Sequence, residues 1–328
     1  MHAPSAGDAE LPALREAMAA ACSGGRRLRP ALVAAAYRAY GGTDPAPAAH
    51  VGEAVELLHG AFVMHDDVID HDEVRRGRPN VVGTFARRAR GAGAAGGPAD
   101  DYARAAGILA GDLALVAAAR GFATTPAPAP VVARLLDLLD EAVTASAAGE
   151  LRDVRLALRL ERPDLAETLA VTHLKTAAYS FCLPLRAGAL LAGADDTALV
   201  RLDELGRLAG VAFQLQDDLV GVFGDPRVTG KSALGDLREG KVTALVAHAA
   251  TTPWWTRIEP HLGDPDLSTA QAGAVRRALE DCGARAFVAE LAAAHLGAAR
   301  DLAARAGLPD ELLVAVLGPV ATLVERAA

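Results

Sequence analysis

Residues 56–79, ELLHGAFVMHDDVIDHDEVRRGRP, constrain this chain more than any other stretch. Their apolar spacing is helical, yet Asp66, Asp67, Asp70, Asp72 and Glu73 fall within eight positions, and Arg75, Arg76 and Arg78 follow at once. At ~100° per residue Asp66 and Asp70 share one face of such a helix, with Asp67 beside them. Two carboxylates ~6 Å apart repel by roughly 3 kcal/mol at an effective dielectric of ~20, more than a helix surface carries without compensation. Something cationic is therefore expected against this helix, and it is missing from the sequence.

Composition limits the surroundings. The 328 residues are 52% hydrophobic but only 4% aromatic, and the dominance of Ala, Leu and Arg favours helix over sheet. Gly, Pro and Thr clusters at 41–48, 90–100, 124–130 and 251–254 divide the pattern into about ten helices. None of these breaks is long enough to separate domains, so 1–328 reads as a single all-α domain, with residues 1–10 as a flexible N-terminus. A net charge of −8 argues against general nucleic-acid binding. Cys22, Cys182 and Cys282 are isolated, which points to a reducing cytoplasm rather than a disulfide or zinc framework. No run reaches 18 uninterrupted apolar residues, so no membrane span is expected.

The acidic theme recurs. HDDVID at 65–70 is echoed by QDDLVG at 216–221, where Gly221 takes the place of Asp70, and Asp225, Lys231, Asp236 and Lys241 follow. One such pair is commonly just a solvated helix face. Two pairs among apolar residues, each followed by cations, instead suggest acid clusters facing one another across a cavity. The chain has only three lysines, Lys175, Lys231 and Lys241, in a sequence that otherwise uses Arg. A compact ammonium at those positions suits a phosphate. GGRRLRP at 24–30 predicts a glycine turn and then a helix whose first residues are Arg26, Arg27 and Arg29. Cations at a helix N-terminus oppose its dipole unless an anion docks there. His59 precedes Asp66 by seven residues and falls within ~20° of it on the same face.

Carboxylates without His or Cys partners suit a hard ion, and Mg²⁺ commonly bridges a few of them to phosphates. Three basic groups imply two diphosphates, and the apolar residues between them imply a hydrocarbon.

In order along the chain, GGRRLRP, ELLH with HDDVID and RRGRP, LAGDLAL (109–115), GELRD (149–153), HLKTAA (173–178) and FQLQDD with GD and GK resemble the motifs of all-trans polyprenyl diphosphate synthases. The resemblance runs from near the N-terminus to beyond residue 245. It implies an orthogonal helical bundle of the isoprenoid synthase type around a central cavity, commonly a homodimer. Asp66, Asp70 and Asp217, in clusters with Asp67 and Asp218, would hold Mg²⁺ on an allylic diphosphate. Arg75, Lys175, Thr176, Gln214, Lys231 and Lys241 would assist them. Arg26, Arg29, His59 and Arg76 would hold isopentenyl diphosphate. The chain departs from the family pattern at Arg26, where Lys is common, and at Gly221, where the second motif often ends in Asp.

A class I terpene cyclase shares this fold but needs no second diphosphate pocket, and a non-catalytic synthase subunit would be expected to lose an acid cluster. Product length should be set just before Asp66, where Phe62 lies ~40° around the helix and Ala61 ~140°. In the family that the chain resembles, bulky aromatics at these two positions favour short products, so with only one of them aromatic the resemblance implies geranylgeranyl diphosphate as the product, with farnesyl diphosphate next.

Overall fold

A computed structural model of the protein describes residues 9–24, 26–224 and 235–327. In chain order its helices are α1 (Glu10–Cys22), α2 (Leu28–Ala39), α3 (Pro45–Ile69), α4 (Val81–Gly91), α5 (Gly97–Ala123), α6 (Ala129–Ala157) and α7 (Leu165–Thr172). A π-helical segment (His173–Cys182) leads without a break into α8 (Leu183–Leu191), followed by α9 (Asp196–Phe223). The rest are α10 (Gly235–Glu239), α11 (Ala244–Ala250), α12 (Trp255–Ile258), α13 (Thr269–Asp281), α14 (Ala284–Ala306) and α15 (Asp310–Ala327). The all-α expectation holds, but short segments after α9 raise the helix number above the ten expected. A small hairpin also interrupts it, with β1 (Val74–Arg75) antiparallel to β2 (Arg78–Pro79).

Local chemistry sets several of these starts. Asp44 accepts a hydrogen bond from the Ala46 amide ahead of α3, which carries Pro45 in its first turn, and Asp195 caps α9 through the Ala198 amide at 2.8 Å. The glycine-rich stretch at 90–100 is mostly helical, because α4 runs to Gly91 and α5 starts at Gly97. The basic helix start differs from expectation. Arg27 takes a left-handed conformation (φ 48°) and α2 begins only at Leu28, so Arg29 alone of the three arginines lies in its first turn.

The central core joins α2, α3, α6, α8, α9 and the π segment through Leu32, Leu58, Leu135, Phe181, Leu185 and Leu205. A second core packs α9 against the C-terminal helices, and a third packs α1, α4 and α5 against α3 through Leu14, Phe85 and Met64. By length and mean hydropathy (1.5) α5 could cross a membrane. Its inner face of Ala and Gly instead lies on α3 and α4, where Gly107 and Gly111 admit Val68 and His65. Its outer face leaves Ile108, Leu109, Leu113 and Val116 exposed.

Candidate active site

The first acid cluster closes α3. Asp70 is the C-cap residue, its amide bonded to the Asp66 carbonyl, and the chain then turns through His71 (φ 59°). Arg76 (φ 53°) and Gly77 (φ 72°) form the two-residue hairpin turn, whose paired positive φ values match the twist of the flanking strands. Of the four described non-glycine residues with positive φ, three, Arg27, His71 and Arg76, thus lie in the segments expected to meet phosphate. The hairpin folds Arg75 back onto α3. Its Nη2 donates to Asp66 Oδ2 at 3.0 Å and its Nε to Asp67 Oδ1 at 2.7 Å.

Lys175 arrives from the π segment and meets Asp66 at 3.2 Å, Glu150 at 2.9 Å and Asp153 at 2.7 Å. Lys241 bridges Asp70 at 3.1 Å and Glu239 at 2.7 Å. These ion pairs answer the repulsion posed by the sequence. Burial works to raise the Asp66 carboxyl, but Lys175, Lys241 and Arg75 outweigh it and hold it below its ordinary value. Burial would likewise depress Lys175, yet Asp66, Asp153 and Glu150 push its ammonium well upward.

Asp67 behaves differently from its neighbour. It is 2% exposed, and burial lifts its carboxyl to about 6 in spite of Arg75. Asp218, the matching residue of the second cluster, is also buried and accepts from Gln214 Nε2 at 2.8 Å. Thr176 donates to Gln214 Oε1 at 3.3 Å, so the π segment links the two clusters. Asp217 lies half-buried beside Asp218 on α9. Lys231 and Asp225, both expected near this cluster, lie outside the described residues.

Among the described residues no three His, Cys, Asp or Glu side chains stand as a ready cage for a metal. Cations of the chain sit among the acids instead. The donor set still fits Mg²⁺, being all carboxylate oxygen, and the buried Asp70 Oδ2 receives no hydrogen bond, only the Lys241 ion pair.

Two turns back along α3, a second group forms. Arg29 Nη2 donates to Ser180 Oγ at 2.9 Å, while its buried Nε has no hydrogen-bond partner, which suits a missing acceptor. His59 Nδ1 lies 3.1 Å from the Tyr179 hydroxyl. Burial, then Arg29, Arg76 and Arg75, holds the imidazole well below its usual pKa, so it is neutral near pH 7. Arg29 and His59 thus meet around Tyr179, whereas Arg76 is tied to them only by the effect of its charge on the imidazole. Arg26 is exposed just ahead of α2, and Arg27 is committed to an ion pair with Glu53.

Phe62 packs edge-on against Tyr179, with ring centroids 4.9 Å apart. Ala61 is fully buried in the other cluster, among Leu14, Met64 and Phe85, so the two positions do not share surroundings. Two surface hollows of about 480 and 380 Å³ open elsewhere, one beside Arg134, Glu141 and Arg186, the other beside Tyr40 and Arg201.

Sequence reasoning singled out none of Glu150, Asp153, Tyr179 and Ser180. The i, i+3 acids of GELRD were a readable signal, since they share a face of α6. Tyr179, four residues after Lys175, shares its face in an ordinary helix and was readable too; Ser180, five residues on, was not, because only the i→i+5 bonding of a π-helix brings it into that row.

Residues 11–279 match the family described as polyprenyl synthetase. A geranylfarnesyl diphosphate synthase of Aeropyrum pernix is 32% identical over 292 residues, spanning 88% of this chain and 86% of the relative. A (2E,6E)-farnesyl diphosphate synthase of Mycobacterium tuberculosis is 33% identical over 295 residues, spanning 87% and 75%. The geranylgeranyl pyrophosphate synthase of Corynebacterium glutamicum, solved with isoprenyl diphosphate and magnesium, superposes with a TM-score of 0.86 at 29% identity, covering 96% of this chain and 90% of that one. With its helical bundle, paired acids and ordered basic groups matched along most of its length, the chain belongs to the polyprenyl synthetase family and is a prenyltransferase of the short-chain prenyl diphosphate synthase kind.

Proposed function

We propose that the protein condenses isopentenyl diphosphate head-to-tail with allylic diphosphates, and that geranylgeranyl diphosphate is its main product. The observation that carries this reading is the pair of cation-rich sites on one helix. His59, with Arg29, stands seven residues, or ~10 Å along the axis, from Asp66 with Lys175, Arg75 and Lys241, and Arg76 adds its charge from the hairpin turn. Phe62 lies between them. A cyclase acting on one diphosphate has no use for the first site.

In this reading Lys175, Arg75 and Lys241 turn from the acids to the allylic diphosphate and stabilise the charge that grows on it as the C–O bond ionises. When bound by Asp66, Asp70 and Asp217, Mg²⁺ would supply the larger share of that positive charge. Arg29, His59 and Arg76 hold isopentenyl diphosphate with its double bond towards the allylic carbon, and the apolar wall around Phe62 excludes water from the cation. The released diphosphate is the proton acceptor, so no protein base is nominated.

The names of the relatives span farnesyl, geranylgeranyl and geranylfarnesyl products, and Phe62 favours the middle length. A homodimer in the cytoplasm completes the proposal. Its support is the apolar surface on α5 and α6, where Leu113, Val116, Leu136 and Leu151 are 37–73% exposed. Incubation with Mg²⁺, labelled isopentenyl diphosphate and each allylic primer, followed by sizing of the dephosphorylated products, tests the reading. Geranylgeraniol as the main alcohol supports it. No incorporation with any primer, or cyclic products from the allylic substrate alone, overturns it.

A further inference from the structure

Tyr179 is 8% exposed and sits where the two halves of the site meet. Its hydroxyl lies 3.1 Å from His59 Nδ1, and the two rings stack at 23° with centroids 5.9 Å apart. The Arg29 guanidinium carbon lies 5.1 Å from the centre of its ring, and Phe62 meets it edge-on at 4.9 Å. The next residue, Ser180, accepts from Arg29 Nη2 at 2.9 Å. One side chain therefore touches two of the groups assigned to isopentenyl diphosphate and the residue assigned to chain length.

The hydroxyl has a specific task available to it. A neutral imidazole carries one N–H, and the partner of one nitrogen decides what the other offers. If the Tyr179 O–H donates to Nδ1, the proton stays on Nε2, which can then donate to an anionic oxygen. If Nδ1–H donates to Tyr179 instead, Nε2 presents a lone pair, which repels a diphosphate. Phenylalanine in this place would leave both tautomers open. The ring has a second task. It lies across from Phe62, so a growing hydrocarbon that reaches Phe62 reaches Tyr179 as well.

We propose that Tyr179 is a positioning and specificity residue with two separable functions: its hydroxyl selects the His59 tautomer that donates to isopentenyl diphosphate, and its ring forms a wall of the chain-length pocket with Phe62. This rests on the condensation reading given above. The two functions call for two substitutions. Tyr179→Phe keeps the ring and removes the hydroxyl, and it should raise KM for isopentenyl diphosphate about 3- to 10-fold, the loss expected of one hydrogen bond to a polar partner. KM for the allylic primer and the product distribution should not move. Tyr179→Leu removes the aromatic wall and should shift the main product upward by one five-carbon unit, as should Tyr179→Ala if it folds.

The experiment measures both KM values and product lengths for wild type, Tyr179→Phe and Tyr179→Leu, with circular dichroism to compare folding. An equal rise in both KM values for a folded Tyr179→Phe, or no rise in either, refutes the tautomer role. An unchanged product distribution in folded Tyr179→Leu refutes the wall. A double-mutant comparison checks the link to His59 independently: once His59→Ala is in place, adding Tyr179→Phe should raise KM for isopentenyl diphosphate no further, and a further rise refutes action through His59. If wild type itself incorporates no isopentenyl diphosphate, the failure lies with the condensation reading rather than with Tyr179.

Discussion

Gly149 tests how tightly the site depends on backbone contact. It lies on α6 where that helix crosses the π segment, and a Cβ built there would sit 2.4 Å from the Lys175 amide nitrogen and 2.8 Å from the Leu174 carbonyl carbon. Both are backbone atoms, so no side chain can swing aside. Ordinary contact needs about 1 Å more, and α6 and the π segment must part by that amount in Gly149→Ala. Alanine gains ~1 kcal/mol of helix propensity, and overpacking costs ~1–3 kcal/mol, so the net loss is of order 1 kcal/mol. In a chain of this length that corresponds to a fall of roughly 1–2 °C in Tm. The functional effect should be larger. Lys175 is fastened to Asp66 on α3 and to Glu150 and Asp153 on α6, and its 2.9 and 2.7 Å contacts with the two α6 acids are the ones that stretch. A misplacement of ~1 Å can cost about 100-fold in turnover. Thermal melts and steady-state kinetics on Gly149→Ala measure both effects. Gly297→Ala is the control, since a Cβ there meets nothing within 4 Å and should only stabilise its helix. If Gly149→Ala also gains stability and keeps full turnover, the close approach does not position Lys175.

Three further outcomes are expected. Asp66→Asn or Asp70→Asn should cut Mg²⁺-dependent turnover by several orders of magnitude while Tm changes by only a few degrees, because the remaining acids still pair Lys175 and Lys241; near-normal turnover in both variants would remove them from the site. Asp67, raised from 3.8 to about 6 on folding, binds its proton more tightly in the native state, so this group's contribution to stability is fully present below pH ~4 and is lost as pH rises to ~6, by roughly 3 kcal/mol at most. Denaturant titrations at pH 4.5 and 6.5 should show that slope in wild type and a flatter one in Asp67→Asn, whereas parallel slopes would show that Asp67 does not titrate in this range. Phe62→Ala should lengthen the product by at least one five-carbon unit, read by chromatography of the alcohols; Ala61→Phe must first displace Leu14, Met64 or Phe85, so a fall in Tm should accompany any shortening.

Much of the site was legible because its chemistry is written in residue type and short-range spacing. Asp66 and Asp70 one turn apart, His59 two turns before them, and three lysines in an arginine-rich chain all carry meaning without coordinates. So do the Gly, Pro and Thr breaks at 41–48 and 124–130, and the paucity of β-branched and aromatic residues that makes the chain helical. What sequence spacing left open was which cation serves which acid. Arg75 reaches Asp66 and Asp67 because the Arg76–Gly77 turn folds it back, and Lys241 reaches Asp70 from far along the chain. The same holds for burial, which sets Asp67 apart from Asp66 although both stand in one DD pair. Glu150, Tyr179 and Ser180 enter the site only because the π segment is gripped between α6 and α9, where Gly149 and Gly210 let backbones approach. Helix formation and charge placement are local and follow from neighbours within a turn. Ion-pair choice and burial depend on where distant backbones come within a few ångströms, and that distance is decided by packing across the whole bundle.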